Sequence, residues 1–147
     1  MPKYTTESIR TVALVGHAGS VKTTLAEALL HQAGAIGAPG TVERGTTVSD
    51  FDPLEKSHQH SLNSSLLHLE HRDTRVHLID TPGSPDFLGQ ALAALDAVET
   101  AAIVINAQNG IELATSRMMQ WAVKRKLCRL IIVNRIDAEN VDLAGLL

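Results

Sequence analysis

The sequence predicts an α/β fold of three layers, in which helices cover both faces of a mostly parallel sheet that includes one antiparallel hairpin. Three short apolar runs, at residues 11–15, 101–105 and 130–133, have the length and composition of strands buried on both faces. Between these runs, apolar residues recur three or four positions apart, as in amphipathic helices. Strands that alternate with helices in this way usually form a parallel sheet.

Composition limits the classes of protein to which the chain can belong. Its 147 residues are 44% hydrophobic and 20% charged, which is typical of one folded domain. No apolar run approaches the roughly 18 residues of a membrane span, so we expect no membrane partner. The net charge of −3 argues against general binding to nucleic acid, and we expect no direct sequence-specific contact with it. The single cysteine, Cys128, is expected to be buried and is consistent with a cytoplasmic location.

The helices and the hairpin follow from the spacing of apolar residues. Each of three predicted helices places a set of side chains on one face: first Leu25, Ala28, Leu29 and Gln32, then Leu88, Ala91, Leu92 and Leu95, then Ala114, Met118, Trp121 and Ala122. Residues 66–70 and 75–79 form the predicted hairpin, joined by a polar turn. Residues 34–63 show no sustained period, which predicts a functional or mobile loop without regular elements.

A phosphate-binding loop follows the first predicted strand. Residues 16–23 match the pattern G-x-x-x-x-G-K-[ST] at every fixed position but one, which predicts a P-loop NTPase fold. Such a loop opens a helix and points backbone N–H groups at a β-phosphate. Lys22 would bridge the β- and γ-phosphates, and the hydroxyl of Thr23 would bind Mg²⁺. The expected phosphate contacts are Gly16, His17, Ala18, Gly19, Ser20, Val21, Lys22 and Thr23.

Val21 stands where the pattern has glycine. Its side chain branches at Cβ, at a point where backbone and phosphate approach closely, so we expect it to crowd the phosphate or reshape the loop. Two interpretations stay open from the residues alone. Either nucleotide binding survives in weakened form, or the loop holds the fold together without tight nucleotide binding.

A second motif directly follows the hairpin and consists of Asp80, Thr81, Pro82 and Gly83. In guanine-nucleotide switches, the Asp of D-x-x-G holds Mg²⁺ through water, and the N–H of the Gly meets the γ-phosphate. Asp80 and Gly83 are predicted to take these roles. The tetrapeptide alone is also a good turn sequence, and it becomes specific only downstream of the phosphate loop.

A third motif follows the last predicted strand and resembles N-K-x-D; it consists of Asn134, Arg135, Ile136 and Asp137. A carboxylate at Asp137 can accept hydrogen bonds from both N1–H and the exocyclic amine of guanine, a donor pair that adenine lacks. The motif therefore predicts GTP rather than ATP, with Asn134 tying the loop to the base and Arg135 replacing the usual Lys. The alternative is that Asn and Asp serve only as turn and helix-cap residues.

Together with residues 45–47, these motifs resemble the GTP-binding domain of bacterial elongation factor G, and above all its elongation-factor-G-like paralogues. The resemblance covers nearly the whole chain. It implies GTP or GDP and Mg²⁺ as ligands, in a GTPase that binds the ribosome and drives tRNA–mRNA movement during translation. Residues 34–63 would form the first switch region and residues 80–86 would begin the second.

The resemblance also implies roles in the two switch regions. In this family a Thr of the first switch coordinates Mg²⁺ in the GTP state, and Ser61 occupies the matching place and keeps a hydroxyl. The metal ligands would then be Thr23, Ser61 and, through water, Asp80. The family's His that orients the attacking water is replaced by Ser84, which is too short to reproduce an imidazole. We therefore expect Lys22 to be retained for catalysis but hydrolysis by this chain to be impaired.

A member of this family continues beyond the length of this sequence into another guanine-binding loop, more strands and further domains. We therefore expect residues 1–147 to form a single incomplete domain, truncated before the last strand and helix, that cannot drive translocation alone. It would be either a fragment or the product of a shortened gene. The alternative hypothesis is a non-enzymatic remnant that folds but binds nucleotide weakly or not at all. A P-loop ATPase or kinase fits residues 16–23 but not residues 134–137.

Overall fold

The computed structural model describes residues 4–58 and 60–146. Their strands form one sheet in the order β2-β3-β1-β4-β5. The strands are β1 (Ile9–Val15), β2 (Ser65–His71), β3 (Thr74–Asp80), β4 (Thr100–Asn106) and β5 (Cys128–Asn134). β2 and β3 pair antiparallel, and the other neighbouring strands pair parallel. This arrangement confirms the predicted α/β fold with one hairpin.

Helices cover both faces of the sheet and bury two aliphatic clusters. The helices are α1 (Lys22–Gln32), α2 (Pro53–His58), α3 (Leu88–Asp96), α4 (Leu113–Lys124) and α5 (Leu143–Leu146). On one face, α1 packs Leu30 against Leu14 of β1. On the other face, α3 and α4 pack Leu95 and Met118 against Val15. Fully burying one such side chain stabilises the fold by roughly 1.5–3 kcal/mol. Across the described residues, 4–58 and 60–146, the helices are too short or too polar to cross a membrane.

The predicted hairpin is confirmed and is longer than the apolar pattern indicated. Its strands, β2 and β3, pair over their whole length and leave only Arg72 and Asp73 as the turn. Both turn residues have positive φ angles, 45° and 60°. A two-residue turn of this hand matches the twist of the strands that it joins.

Helix α1 is confirmed, but the face predicted from its apolar residues is not the buried one. Its buried residues are Lys22, Ala26, Glu27 and Leu30, whereas Ala28 and Leu29 are exposed. Glu27 is fully buried because its carboxylate accepts two backbone hydrogen bonds, from Gly40 and Val48. Hydropathy alone assigns a glutamate to the surface, so the pattern pointed to the wrong face.

Three further expectations from the sequence are wrong. Residues 34–63 contain the short helix α2, so the segment is not without regular structure. β5 was predicted to be buried on both faces, but it is an edge strand and Leu130 and Ile131 are about half exposed, at 50% and 52%. Cys128 at its start is exposed rather than buried. An aliphatic run identifies a strand but does not say whether it has one neighbour or two.

Candidate functional site

The C-terminal ends of the parallel strands meet at one edge of the sheet, where α1 also begins. Gly16 follows β1, Asp80 ends β3, Asn106 ends β4 and Asn134 ends β5. A cavity of about 390 Å³ lies at this edge. Its lining includes phosphate-loop residues and parts of all three predicted motifs: Ala18, Gly19, Val21, Lys22, Thr23, Asp50, Ser61, Thr81, Gly83, Ser84 and Arg135. Ligands of open α/β sheets bind at this kind of crevice.

Lys22 is folded onto the phosphate loop. Its Nζ donates hydrogen bonds to the backbone oxygens of Gly16 at 3.0 Å and His17 at 2.9 Å. Burial lowers the pKa of Lys22 to about 8, and the nearby charge of Asp80 opposes that shift. The ammonium group is therefore still mainly protonated at neutral pH. It supplies a buried positive charge at the mouth of the cavity.

Val21 adopts the left-handed conformation, with φ 67° and ψ 38°, immediately before α1. For a residue with a branched Cβ, this conformation costs about 1–2 kcal/mol, a penalty that glycine does not carry. The loop still positions Lys22 on the carbonyls of Gly16 and His17. The departure from the motif is thus visible as backbone strain beside the cavity. Whether the valine also crowds a phosphate stays a prediction.

The three predicted metal ligands lie side by side, with Thr23 between Ser61 and Asp80. Thr23 Oγ1 donates to Asp80 Oδ2 at 2.7 Å and lies 3.2 Å from Ser61 Oγ. Burial raises the pKa of Asp80 to about 6, although the hydrogen bond from Thr23 opposes the shift. Within the described part of the chain, the other carboxylate oxygen of Asp80 is buried and makes no hydrogen bond of good geometry, although the Ser49 hydroxyl, which is also unpaired, lies near enough to lower the pKa of Asp80. Two hydroxyls beside an unpaired carboxylate oxygen form a donor set that fits Mg²⁺.

Asp50 belongs to the same network and was not predicted as a site residue. It is buried, and its two carboxylate oxygens accept hydrogen bonds from Ser61 Oγ at 2.6 Å and Thr47 Oγ1 at 3.0 Å. Its charge also contributes to the raised pKa of Asp80. Asp50 lies in residues 34–63, where apolar residues show no periodic spacing. Its location between the phosphate loop and the D-T-P-G motif is the only sequence feature that could have indicated its role.

Asn106 is a second residue that the sequence interpretation missed. Its side-chain amide donates to the backbone oxygen of Gly19 at 3.2 Å, while its side-chain oxygen accepts from the N–H of Gln108. Asn134, which was predicted to tie its loop to the phosphate loop, donates to the backbone oxygen of Ser20 at 3.3 Å. A polar residue at the C-terminal end of an aliphatic strand is the signal that both positions share.

The D-T-P-G segment lies directly against the phosphate loop. Thr81 Oγ1 donates to the backbone oxygen of Leu14 at 2.7 Å, which fixes the segment to β1. A Cβ placed on Gly83 would lie 2.5 Å from both the Ala18 amide nitrogen and Lys22 Nζ, so only glycine fits there. Pro82 is buried, and Ser84 lines the cavity.

His17 contributes to the site through its backbone rather than its ring. The ring is buried, with Nε2 3.0 Å from Glu112 Oε1, and it lines a separate cavity of about 180 Å³. Burial lowers the pKa of His17, and the charge of Glu112 opposes that shift. The imidazole of His17 therefore points toward Glu112 and does not line the cavity proposed for the phosphates.

The third motif reaches the cavity only in part. Asn134 holds the phosphate loop, and Arg135 lines the cavity with a positive φ of 57°. Ile136 and Asp137 follow in an exposed turn and do not line the cavity. Recognition of the base by Asp137 stays a prediction.

Comparison with known proteins now identifies the family. Residues 7–146 match the family model described as the elongation factor Tu GTP binding domain. The chain belongs to this family. It is therefore a GTP-binding domain of the translation-factor type, as the resemblance of its motifs implied.

Named relatives of this GTP-binding domain are translation factors or tetracycline resistance proteins. It is 39% identical over 129 residues to the elongation factor G-like protein of Mycobacterium tuberculosis, covering 88% of this chain and 18% of that protein. It is 33% identical over 132 residues to tetracycline resistance protein TetO of Streptococcus mutans, covering 90% and 21%. It is 33% identical over 141 residues to the mitochondrial ribosome-releasing factor 2 of Culex quinquefasciatus, covering 96% and 19%. The chain thus spans about a fifth of the length of these relatives.

Solved structures show the same fold. A protein from Thermus thermophilus superposes with a TM-score of 0.90 at 42% identity, over 95% of this chain and 21% of that one. A bacterial selenocysteine-specific elongation factor, EF-Sec, superposes with a TM-score of 0.70 at 22% identity, over 92% and 21%. The second match is too remote in sequence to carry more than the fold.

Proposed function

We propose that this GTP-binding domain holds guanine nucleotide and Mg²⁺ in the 390 Å³ cavity, as part of a translation factor that works on the ribosome. The observation that carries the proposal is the convergence of Lys22, Thr23, Ser61 and Asp80, with one carboxylate oxygen of Asp80 buried and unpaired. A buried carboxylate oxygen without a hydrogen-bond partner is costly, and a bound cation would remove that cost.

The phosphates would lie on the loop at residues 16–23, where the start of α1 adds positive potential. Lys22 would exchange its two bonds to backbone oxygens for bonds to phosphate oxygens. Thr23, Ser61 and Asp80 are the residues that would hold Mg²⁺, Asp80 through water. Such an ion neutralises charge on the phosphates and orients them. Residues 34–63 and 80–86 would then act as the two switch regions.

The base would be recognised at the end of β5. Arg135 already lines the cavity, and its guanidinium can stack on a purine. Asp137 would have to move toward the base to accept its two N–H groups, which the exposed turn at residues 135–138 allows. This arrangement favours GTP and GDP over ATP.

For the whole factor, we infer hydrolysis of GTP linked to a step on the ribosome, in the cytoplasm. The support is the family and the printed names of relatives, which include an elongation factor G-like protein and a ribosome-releasing factor. In this chain Ser84 lines the cavity where the sequence resemblance expects a histidine. We therefore propose binding as the activity of this chain, with negligible hydrolysis by the chain alone.

A titration with fluorescent GDP and GTP tests the proposal, with and without Mg²⁺ and with ATP as competitor. We expect saturable binding that Mg²⁺ strengthens and that GDP, but not ATP, reverses. Lys22→Met should weaken binding by at least about tenfold, as the loss of one charged hydrogen bond to phosphate implies. Lys124→Met is the matched control, because Lys124 is exposed on α4 and stacks on Trp121. No saturable binding by the folded parent chain would contradict the proposal.

A further inference from the structure

Glu27 is a buried carboxylate that the proposed nucleotide chemistry does not use. It lies on α1 and is fully buried. One oxygen accepts a hydrogen bond from the N–H of Gly40 at 2.7 Å, and the other accepts from the N–H of Val48 at 2.6 Å. Hydrogen bonds to an ionised carboxylate are short and about twice as strong as neutral ones. A buried charge held in this way fixes the two backbone positions relative to α1.

Residues 40–48 form one small folded unit whose two ends both meet Glu27. Within it, the N–H of Thr41 donates to Thr46 Oγ1 at 3.0 Å, and the N–H of Thr46 donates to the Thr41 backbone oxygen at 3.2 Å. A Cβ on Gly40 would lie 2.2 Å from the backbone oxygen of Thr46, so the chain crosses itself closely at this point. Because residues 40–48 are hydrogen-bonded to one another, fixing Gly40 and Val48 to Glu27 fixes the whole unit.

A row of close polar contacts continues from this unit to the predicted metal ligands. Thr47, next to Val48, donates from Oγ1 to Asp50 at 3.0 Å. Asp50 in turn accepts from Ser61 Oγ at 2.6 Å, and Ser61 Oγ lies 3.2 Å from Thr23 Oγ1.

Thr23 and Glu27 are four residues apart on α1, so they lie one turn apart on the same side of the helix. Helix α1 therefore meets both ends of this row of contacts, at Glu27 through two hydrogen bonds and at Thr23 through its 3.2 Å contact with Ser61.

We propose that Glu27 is a positioning residue for the first switch region: its carboxylate fixes residues 40–48 to α1 and so places Asp50 and Ser61 beside Thr23. We call the two hydrogen bonds from Gly40 and Val48 to Glu27 the clamp. The clamp forms without nucleotide, and the proposal rests on the proposed function only for the binding of Mg²⁺ near Asp50 and Ser61. Loss of the clamp should free residues 40–48 while the sheet and its hairpin stay folded.

Limited trypsin digestion without nucleotide tests the clamp. Arg44 is exposed within residues 40–48, and Arg72 is exposed in the β2–β3 turn and serves as the internal reference. Glu27→Gln keeps the length of the side chain but turns a donor toward one of the two N–H groups. Losing one charge-assisted hydrogen bond should raise the ratio of Arg44 to Arg72 cleavage by about tenfold.

Two further variants keep the test sharp. Glu27→Asp keeps the charge but is too short to reach both N–H groups, and it should raise the ratio as well. Glu99→Gln makes the same change at an exposed carboxylate that accepts from the N–H of Thr11 at 3.2 Å, and it should leave the ratio unchanged. An unchanged ratio in both Glu27 variants would overturn the clamp. Equal rises at Arg44 and Arg72 would also overturn it, because Glu27 would then stabilise only the whole fold.

The positioning role is read from the Mg²⁺ dependence of GTP binding. If the clamp places Ser61 and Asp50, Glu27→Gln should raise the Mg²⁺ concentration at the binding midpoint by about threefold to tenfold, a shift of about 0.7–1.4 kcal/mol. A freed Arg44 with an unchanged Mg²⁺ midpoint would contradict the positioning role. A parent chain that binds no GTP would contradict the proposed function, and the digestion would still decide the clamp.

Discussion

Asn106 and Asn134 are register partners at the C-terminal ends of β4 and β5, and their side-chain amides hold the backbone oxygens of two consecutive phosphate-loop residues. Asn106 donates to Gly19 at 3.2 Å, and Asn134 donates to Ser20 at 3.3 Å. The pairing of two strands therefore sets the position of the phosphate loop, because both donors stand on the rigid edge of the sheet.

Replacing Asn106 with aspartate should weaken GDP binding by about tenfold or more, since a buried donor is lost and a negative charge then faces the Gly19 carbonyl and the phosphates. Calorimetry with GDP measures the effect. Gln120→Glu makes the same amide-to-carboxylate change on an exposed position of α4 and should leave the affinity unchanged. Equal affinities for Asn106→Asp and the parent would show that β4 does not hold the loop.

Val21→Gly should stabilise the chain and tighten GDP binding. The left-handed backbone at φ 67° suits glycine, so we expect a gain of up to about 1 kcal/mol in the free energy of unfolding after the entropic cost of glycine is subtracted. Relief of crowding beside the β-phosphate should add about tenfold in affinity. Thermal unfolding and calorimetry measure the two effects. Val123→Gly, in the right-handed backbone of α4, should instead destabilise, and a similar loss for Val21→Gly would refute the strain.

Asp80 should make stability depend on pH in the opposite sense to most carboxylates. Its pKa in the fold is about 6, above the usual 3.8, so its contribution is fully present below pH 3.8 and is lost as the pH rises through 6. At pH 7.5 the ionised group costs roughly 3 kcal/mol. Asp80→Asn should therefore raise the melting temperature at pH 7.5 and leave it little changed at pH 4, while removing the dependence of GTP binding on Mg²⁺.

Asp96 supplies the control of opposite sign. Its hydrogen bond from Arg125 lowers the pKa of Asp96, so its contribution is present at neutral pH and is lost as the pH falls. Asp96→Asn should thus lower the melting temperature at pH 7.5. If Asp80→Asn also lowers the melting temperature at pH 7.5, burial is not the main influence on the pKa of Asp80.

Asp137 should decide which base the chain accepts. Asp137→Asn replaces a carboxylate oxygen with a donor, which would face the amine of guanine but suits the carbonyl of xanthine. We expect preference to shift from GDP toward xanthosine diphosphate in a competition titration. Asp142→Asn, an exposed position in the following loop, should keep the preference for guanine. If ATP competes as well as GTP against the parent chain, the assignment of residues 134–137 is wrong.

Hydrolysis should stay negligible in this chain alone. Lys22 and the ligands of Mg²⁺ supply charge neutralisation, but Ser84 cannot orient the attacking water. Val21→Gly should tighten binding without adding turnover, and adding Ser84→His should change little in the absence of ribosomes. Single-turnover assays on the three proteins measure this. Turnover by the parent near that of a ribosome-activated GTPase would falsify the role assigned to Ser84.

Local sequence could predict the strands, the hairpin and the phosphate loop because each depends on neighbours in the chain. The run at residues 101–105 is buried on both faces as its hydropathy indicates, and Lys22 begins a helix as the motif requires. The family resemblance also implied that Thr23, Ser61 and Asp80 lie in one cluster, although they are far apart in the chain.

Features that depend on a distant partner could not be predicted in this way. Glu27 is buried only because Gly40 and Val48 donate to it, and Asp50 only because Thr47 and Ser61 do. Hydropathy treats both acids as surface residues. Likewise, the exposure of β5 depends on its place in the strand order, which no local pattern records.

The strand order also has a consequence for how the chain is built. β1 is synthesised before the other four strands of the described sheet but lies at its centre, and its Leu14 pairs with Asp80 of β3 and Ala102 of β4. The hairpin of β2 and β3 closes locally and can form early, whereas contacts between distant segments form slowly. In a nascent chain that emerges from its N-terminus, β1 must therefore wait for both neighbours. The phosphate loop is therefore synthesised before the rest of the site, but it is fully supported only after β4 and β5 supply Asn106 and Asn134.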